Sequence, residues 1–277
     1  MSGRLLIAID LDGTLIGETL TISAQDKAAV AASQAAGNVI CLASGRLYAA
    51  SRPFAVQLDL HGPIIALQGA AAYDLRTEQR LFCTPLAVPT ALQAYDDLHQ
   101  RGFHLQLYYG DSLYLDTLNE AARYYLRISR VEPVMVPDLR ALLTGSAPAE
   151  PGPIKVLGIA SEELVRKTIP VLSEACAGSA NVFRSMPVFL EITDPHATKG
   201  EALKRIATLL GIDMSATAAI GDSDNDVSMF EAAQTSFAVA NATEAAKRAA
   251  STVVSPLGSG VADALRKLEQ GVAHEPA

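Results

Sequence analysis

Short apolar runs alternate with longer alanine-rich stretches at the start of the chain. Leu5–Ile9 reads as a buried strand, and Ser23 with Asp26 three residues later opens a helix that Gly37 can terminate. A second apolar strand, Asn38–Ala43, leads into Ser44-Gly45-Arg46 at a strand-to-helix junction. A helix through Tyr48–Leu58 and a third strand, Ile64–Leu67, follow. Strands and helices in strict alternation predict a parallel sheet.

The pattern changes after about residue 82. Phe103–Tyr109 alternates apolar and polar side chains as a half-exposed antiparallel strand does. Helical stretches near 89–100, 117–128 and 161–176 are interleaved with strand-like segments near 103–109, 112–115, 154–160 and 187–192. The loop Gly145–Pro153 interrupts the middle. Thr198 and Glu201 then form a capping box for a helix ended by Gly211, and the first pattern resumes. Strands at Thr217–Ile220, Phe237–Ala240 and Thr252–Val254 alternate with helices near 225–233, 243–250 and 260–269. The expected architecture is α/β: a parallel-sheet core from residues 1–82 and 190–277, an α/β insertion at 83–189, and a disordered tail after Gln270.

Composition narrows the partners. A formal net charge of −8 disfavours non-specific adhesion to nucleic acid or anionic membrane, which needs clustered Lys and Arg. Cys41, Cys83 and Cys176 are far apart and odd in number, so they read as buried free thiols. Leu5–Ile9 is too short for a signal-peptide core, and no stretch of about 20 apolar residues occurs. The expected place is the cytoplasm.

Candidate chemistry gathers where apolar strands end. Asp10-Leu11-Asp12-Gly13-Thr14 follows the first strand, at the edge where open α/β sheets place ligands. Residues i and i+2 of a strand lie about 6.6 Å apart on one side. Asp10 and Asp12 therefore either address different atoms of one substrate or cap a turn in which Gly13 supplies a permissive φ. Two carboxylates facing a phosphate dianion repel it unless a divalent cation intervenes, and magnesium suits all-oxygen ligation. Gly221-Asp222-Ser223-Asp224-Asn225-Asp226 repeats the arrangement after a second strand. A helix cap accounts for Asp224 but not for the cluster.

Lys199 falls at the first position of its helix, where its charge opposes the macrodipole and either meets a compensating anion or stands exposed at a cost of only about 0.3–1 kcal/mol. The Ser44 hydroxyl holds a phosphate oxygen or caps a helix, and Arg46 pairs with an anion or with solvent.

Together, Asp10–Thr14, Ser44-Gly45-Arg46, Lys199-Gly200 and Gly221-Asp222 to Asn225-Asp226 resemble the four ordered motifs of the haloacid dehalogenase superfamily. The insertion resembles the α/β type-two cap of its Cof-type sugar-phosphatase branch, so the core is expected to be Rossmann-like. The resemblance implies a phosphatase with Asp10 as nucleophile and Asp12 as acid, then base. It further implies Mg2+ held by Asp10, the Asp12 carbonyl and Asp222, with Asn225 and Asp226 supporting that shell. Ser44 and Lys199 would hold the phosphoryl group. Gln68 and His196 stand where the family's usual residues differ, and Asn241 ends Val239-Ala240-Asn241 where Met-Gly-Asn is common; with Arg46, Tyr108 and Arg184 they are the expected substrate contacts. Tyr109 is expected to face the opposite side of its strand from Tyr108.

The substrate class implied is a small phosphorylated metabolite. A phosphomutase-like transferase on the same fold, a signalling receiver and a binding protein that has lost turnover are the competing readings. Chain length and the Asp-x-Asp-Gly-Thr order disfavour the receiver.

Overall fold

The computed structural model describes residues 4–145 and 150–272. They divide into two compact units, one formed by the chain up to Phe82 and from Thr198 onward, the other by Cys83–Ala197. The first crossing lies between Phe82 and Cys83. The second falls after Ala197 instead of after residue 189, because Phe189–Thr193 pairs on both sides with strands of the inserted unit.

Before the insertion the chain forms β1 (Leu6–Asp10), α1 (Ala24–Ala35), β2 (Val39–Ala43), α2 (Tyr48–Gln57), β3 (Ile64–Ala66), β4 (Ala71–Tyr73) and β5 (Arg80–Cys83). The insertion contributes α3 (Val88–Gln100), β6 (His104–Tyr109), β7 (Ser112–Leu115), α4 (Glu120–Ser129), β8 (Val134–Met135), α5 (Leu139–Thr144), β9 (Lys155–Ile159), α6 (Glu162–Ala175), β10 (Asn181–Met186) and β11 (Phe189–Thr193). After it come α7 (Lys199–Leu210), β12 (Thr217–Gly221), α8 (Val227–Ala232), β13 (Thr235–Val239), α9 (Glu244–Ala249), β14 (Thr252–Val254) and α10 (Gly260–Val272).

The first unit's sheet has the order β14-β13-β12-β1-β2-β3-β4-β5. From β14 to β3 every pairing is parallel, and β4 turns back antiparallel on β3. Leu6 is in register with Val39 on one side and Thr217 on the other. All five residues of β1 are buried, as a parallel strand covered on both faces requires. Each such Leu or Ile contributes about 1.5–3 kcal/mol relative to exposure. The chain leaves β1 toward β2 and β3 and returns on the opposite flank through β12. That reversal of strand order opens a crevice beyond the carboxyl ends of β1 and β12.

Local signals set the helix ends. The Ser23 side chain accepts from Asp26 N and caps α1, and Thr198 accepts from Glu201 N and caps α7. Gly211 ends α7 with φ +65°. The helix α10 continues to Val272, past the expected start of the tail, while residues 273–277 and 146–149 lie outside the described set.

The inserted unit has a six-stranded sheet in the order β10-β11-β9-β6-β7-β8. The short segments β4, β5, β8, β10 and α5 carry too little periodicity to stand out in the sequence. Nor is β6 half-exposed: from Leu105 to Tyr109 it is buried throughout. Leu105, Leu107 and Tyr109 enter the apolar core, while Gln106 and Tyr108 are buried among polar partners, the Tyr108 hydroxyl donating to Gln106 Oε1 at 3.3 Å. Cys41 and Cys176 are buried free thiols, whereas Cys83 is only half-buried.

Candidate active site

Four segments of the first unit meet at the crevice. Asp10 is the last residue of β1, Ser44 follows β2, Lys199 opens α7 and Asp222 follows β12. Asp10 is buried, and its Oδ1 accepts from Lys199 Nζ at 2.5 Å. Asp226 Oδ1 accepts from the same Nζ at 2.6 Å, so one buried cation is clamped between two buried carboxylates. Lys199 at a helix start, which opposes the macrodipole, is thereby compensated. Burial opposes its charge, but Asp10 and Asp226 together hold the ammonium above its ordinary range.

Asp226 is fully committed, since its Oδ2 accepts from the backbone N–H groups of Asp222 and Ser223, both at 2.9 Å. The helical turn at Asp224–Asp226 is capped by Ser223 in a box with Asp226. Asp224 therefore is not the cap. It accepts instead from Thr243 Oγ1 at 2.7 Å.

Asp10 Oδ2 is buried and faces no hydrogen-bond donor. Burial raises the Asp10 carboxyl well above its ordinary value, Lys199 opposes this, and Asp226, Asp222 and Asp12 add to the rise. Asp222 is pushed up to about 6, by burial first and then by the Asp226 charge. Its Oδ1 accepts from Thr14 Oγ1 at 2.9 Å. Gly13 adopts φ +88°, and a Cβ there would stand 2.3 Å from Asp222 Oδ2, so the glycine permits the Asp10 and Asp222 loops to close on one another.

Oxygen atoms of Asp10, Asp222 and Asp226 lie within 4.8 Å of one another. With Asp226 taken by Lys199 and backbone, the under-compensated groups are Asp10 Oδ2 and Asp222. Two desolvated carboxylates with all-oxygen chemistry fit a hard divalent cation.

Asp12 lies beyond the end of β1, so strand spacing does not set its direction. Its carboxylate is exposed and accepts both arms of Arg46, from Nε to Oδ2 at 2.7 Å and from Nη2 to Oδ1 at 2.6 Å. Arg46, expected at the substrate, is engaged with Asp12 and lies 5.8 Å from the Phe54 ring centroid. The buried Ser44 hydroxyl accepts from Arg46 N at 3.1 Å, and its own proton has no acceptor among the described residues.

Two other expected substrate contacts are committed within the unit. Gln68 Oε1 accepts from Asn225 Nδ2 at 2.7 Å. Asn241 Nδ2 donates to Gly13 O at 2.8 Å and its Oδ1 accepts from Leu257 N at 2.7 Å, so this carboxamide ties the loop after β1 to the loop after β14. Thr14, the last residue of the Asp-x-Asp-Gly-Thr pattern, carries no role in that pattern by itself, yet its hydroxyl holds Asp222.

Within the inserted unit, Tyr108 is fully buried, with Lys155 Nζ 4.4 Å from its ring centroid and Lys155 paired to Glu191 at 3.0 Å. Tyr109 is buried on the opposite face, its hydroxyl donating to Leu142 O. Neither tyrosine is exposed to solvent, which departs from the expectation of a ligand-facing Tyr108: the polar face of β6 is covered like its apolar face. Arg184 is exposed, its Nη1 3.5 Å from Glu162 Oε1, and His196 is exposed, its backbone N–H donating to Asp194 Oδ1 at 2.8 Å.

No described helix is long and apolar enough to cross a membrane. The family model for haloacid dehalogenase-like hydrolases matches residues 7–265. The pyridoxal phosphate phosphatase YbhA of Escherichia coli is 28% identical over 257 residues, covering 90% of this chain and 92% of that protein. The 5-amino-6-(5-phospho-D-ribitylamino)uracil phosphatase YwtE of Bacillus subtilis is 28% identical over 270 residues, covering 87% and 89%. The crystal structure of TM0651 from Thermotoga maritima superposes with TM-score 0.81 at 28% identity, over 96% of this chain and 97% of that one. The motifs at the strand ends, the inserted α/β unit and these similarities agree: the chain belongs to the haloacid dehalogenase-like hydrolase family, in its Cof-type phosphatase branch.

Proposed function

We propose that this enzyme is a magnesium-dependent phosphatase that hydrolyses small phosphate monoesters through an aspartyl-phosphate on Asp10. The observation that carries the reading is the state of that carboxylate: buried at the end of β1, one oxygen fixed by Lys199, the other without a donor. In the first half-reaction an Asp10 oxygen attacks phosphorus, the ester P–O bond breaks, and the leaving alkoxide takes a proton from Asp12. In the second, water attacks the phosphorus of the acyl phosphate, Asp12 takes the water's proton, and inorganic phosphate leaves with Asp10 restored.

Asp10, the Asp12 carbonyl and Asp222 would hold the magnesium ion, which when bound supplies the charge neutralisation that lets a phosphate dianion enter this acidic crevice. Lys199 and the uncommitted proton of Ser44 stabilise phosphoryl oxygens. Asp226 keeps Lys199 and the Asp222 loop in place, and Asn225 supports the same loop.

The relatives point to phosphorylated cofactors or sugar-like phosphates as the substrate class, and we assign selection of the leaving group to the inserted unit, acting as a cap, with Arg184 and His196 as its exposed candidates. Free thiols at Cys41, Cys83 and Cys176 accord with a place in the reducing cytoplasm.

A panel of phosphate esters assayed with Mg2+ tests the proposal. Wild type releases inorganic phosphate and Asp10→Asn, still folded, releases none. Near-full activity in Asp10→Asn refutes the nucleophile, and isomerised ester without free phosphate makes the enzyme a mutase instead.

A further inference from the structure

Leu67, Gln68 and Gly69 take left-handed φ values in succession, +52°, +62° and +101°. For non-glycine residues this backbone costs about 1–2 kcal/mol each, so such a run persists only where its surroundings hold it. Here they do. Leu67 N donates to Arg46 O at 2.9 Å and Gln68 N to Ser44 O at 3.1 Å. A Cβ on Gly69 would stand 2.1 Å from Thr198 O, so the turn is wedged against the residue that caps α7 ahead of Lys199.

The Gln68 side chain extends this hub. It is 5% exposed, and a Cβ on Gly45 would meet Gln68 Nε2 at 2.4 Å, which places the carboxamide across the Ser44–Arg46 turn. Its Oε1 accepts from Asn225 Nδ2 at 2.7 Å, and Asn225 Oδ1 accepts from Ser223 Oγ at 2.6 Å. One side chain thus lies on the turn that carries Ser44 and is hydrogen-bonded to the loop that carries Asp222 and Asp226.

We propose that Gln68 is a positioning residue: its carboxamide, aimed by a strained turn, fixes the separation between the Ser44 turn and the Asp222–Asp226 loop. The catalytic consequence rests on the phosphatase reading; the mechanical one does not. Through Asn225 it holds the acidic loop still while Ser44 and Lys199 are held by the backbone of the same turn. Positional errors of about 1 Å at a phosphoryl-transfer site cost on the order of a hundredfold in rate.

Two arms test this in the full-length protein. In the first, amide hydrogen exchange is followed without ligand for Gln68→Met, which keeps the length and loses the acceptor, and Gln68→Glu, which keeps the acceptor. Gln68→Met is expected to speed exchange about fivefold to tenfold in residues 44–46 and 222–226, and Gln68→Glu to leave it near wild type. Equal acceleration in both variants, or acceleration confined to residues 67–69, overturns the proposal. In the second arm kcat falls about tenfold to a hundredfold in Gln68→Met, and adding Gln68→Met to Asn225→Ala lowers it no further. Losses that multiply overturn the route through Asn225. If wild type hydrolyses no ester, the phosphatase reading fails while the exchange arm still decides the positioning role.

Discussion

Lys199 Nζ stands 2.5 Å from Asp10 Oδ1 and 2.6 Å from Asp226 Oδ1, with all three side chains buried or nearly so. One positive charge therefore serves two negative ones, and the excess negative charge extends to Asp222. The site is built short of cations, which is the condition in which a carboxylate cluster accepts a divalent ion.

Replacing Lys199 removes that shared partner. Lys199→Met leaves two buried carboxylates uncompensated, so the metal-free protein should lose about 3–5 kcal/mol, read as the shift in its urea midpoint. Turnover should fall with it. An unchanged midpoint would mean that the two acids are not dependent on the lysine.

Asp222 makes metal-free stability depend on pH. Its carboxyl titrates at about 6 in the folded protein against an ordinary 3.8. Folding thus retains a proton that the unfolded chain releases. The stabilising contribution is complete below the ordinary value and is lost as pH rises through about 6. In chelator, wild type should melt well below Asp222→Asn at about pH 7, the gap closing toward about pH 4. Added Mg2+ should raise the melting temperature of wild type and leave that of Asp222→Asn nearly unmoved. A gap independent of pH counts against the assignment.

The bidentate pair of Asp12 with Arg46 bears on proton transfer. Asp12→Ala should cost on the order of 10²–10⁴-fold with alkyl phosphates and much less with nitrophenyl phosphate, whose leaving group needs little protonation. Equal losses across a leaving-group series would remove Asp12 from the acid role.

Asn241, expected from sequence at the substrate, should behave as a brace. Asn241→Ala is predicted to lower stability by about 1 kcal/mol while keeping the ranking of substrates by kcat/KM. A changed ranking with unchanged stability would restore the substrate role.

The repeated unit of apolar run, acidic or hydroxyl residue and helix was readable along the chain because buried parallel strands leave continuous apolar runs and their ends must carry polar groups. Asp10, Ser44 and Asp222 stand out on that ground, the capping signal at Thr198 puts Lys199 at the first position of its helix, and their order along the chain carries the resemblance to the family motifs. Sequence spacing could not show which side chains were already spent. Only the tertiary structure decided that Asn241 closes on Gly13 and Leu257, that Gln68 reaches Asn225, and that Arg46 turns to Asp12. The hydrogen bonds from Asn241 to Gly13, from Asn225 to Gln68 and from Arg46 to Asp12 each join residues at least 34 positions apart. A local pattern fixes what a residue offers, whereas the fold fixes which partner is near enough to take it.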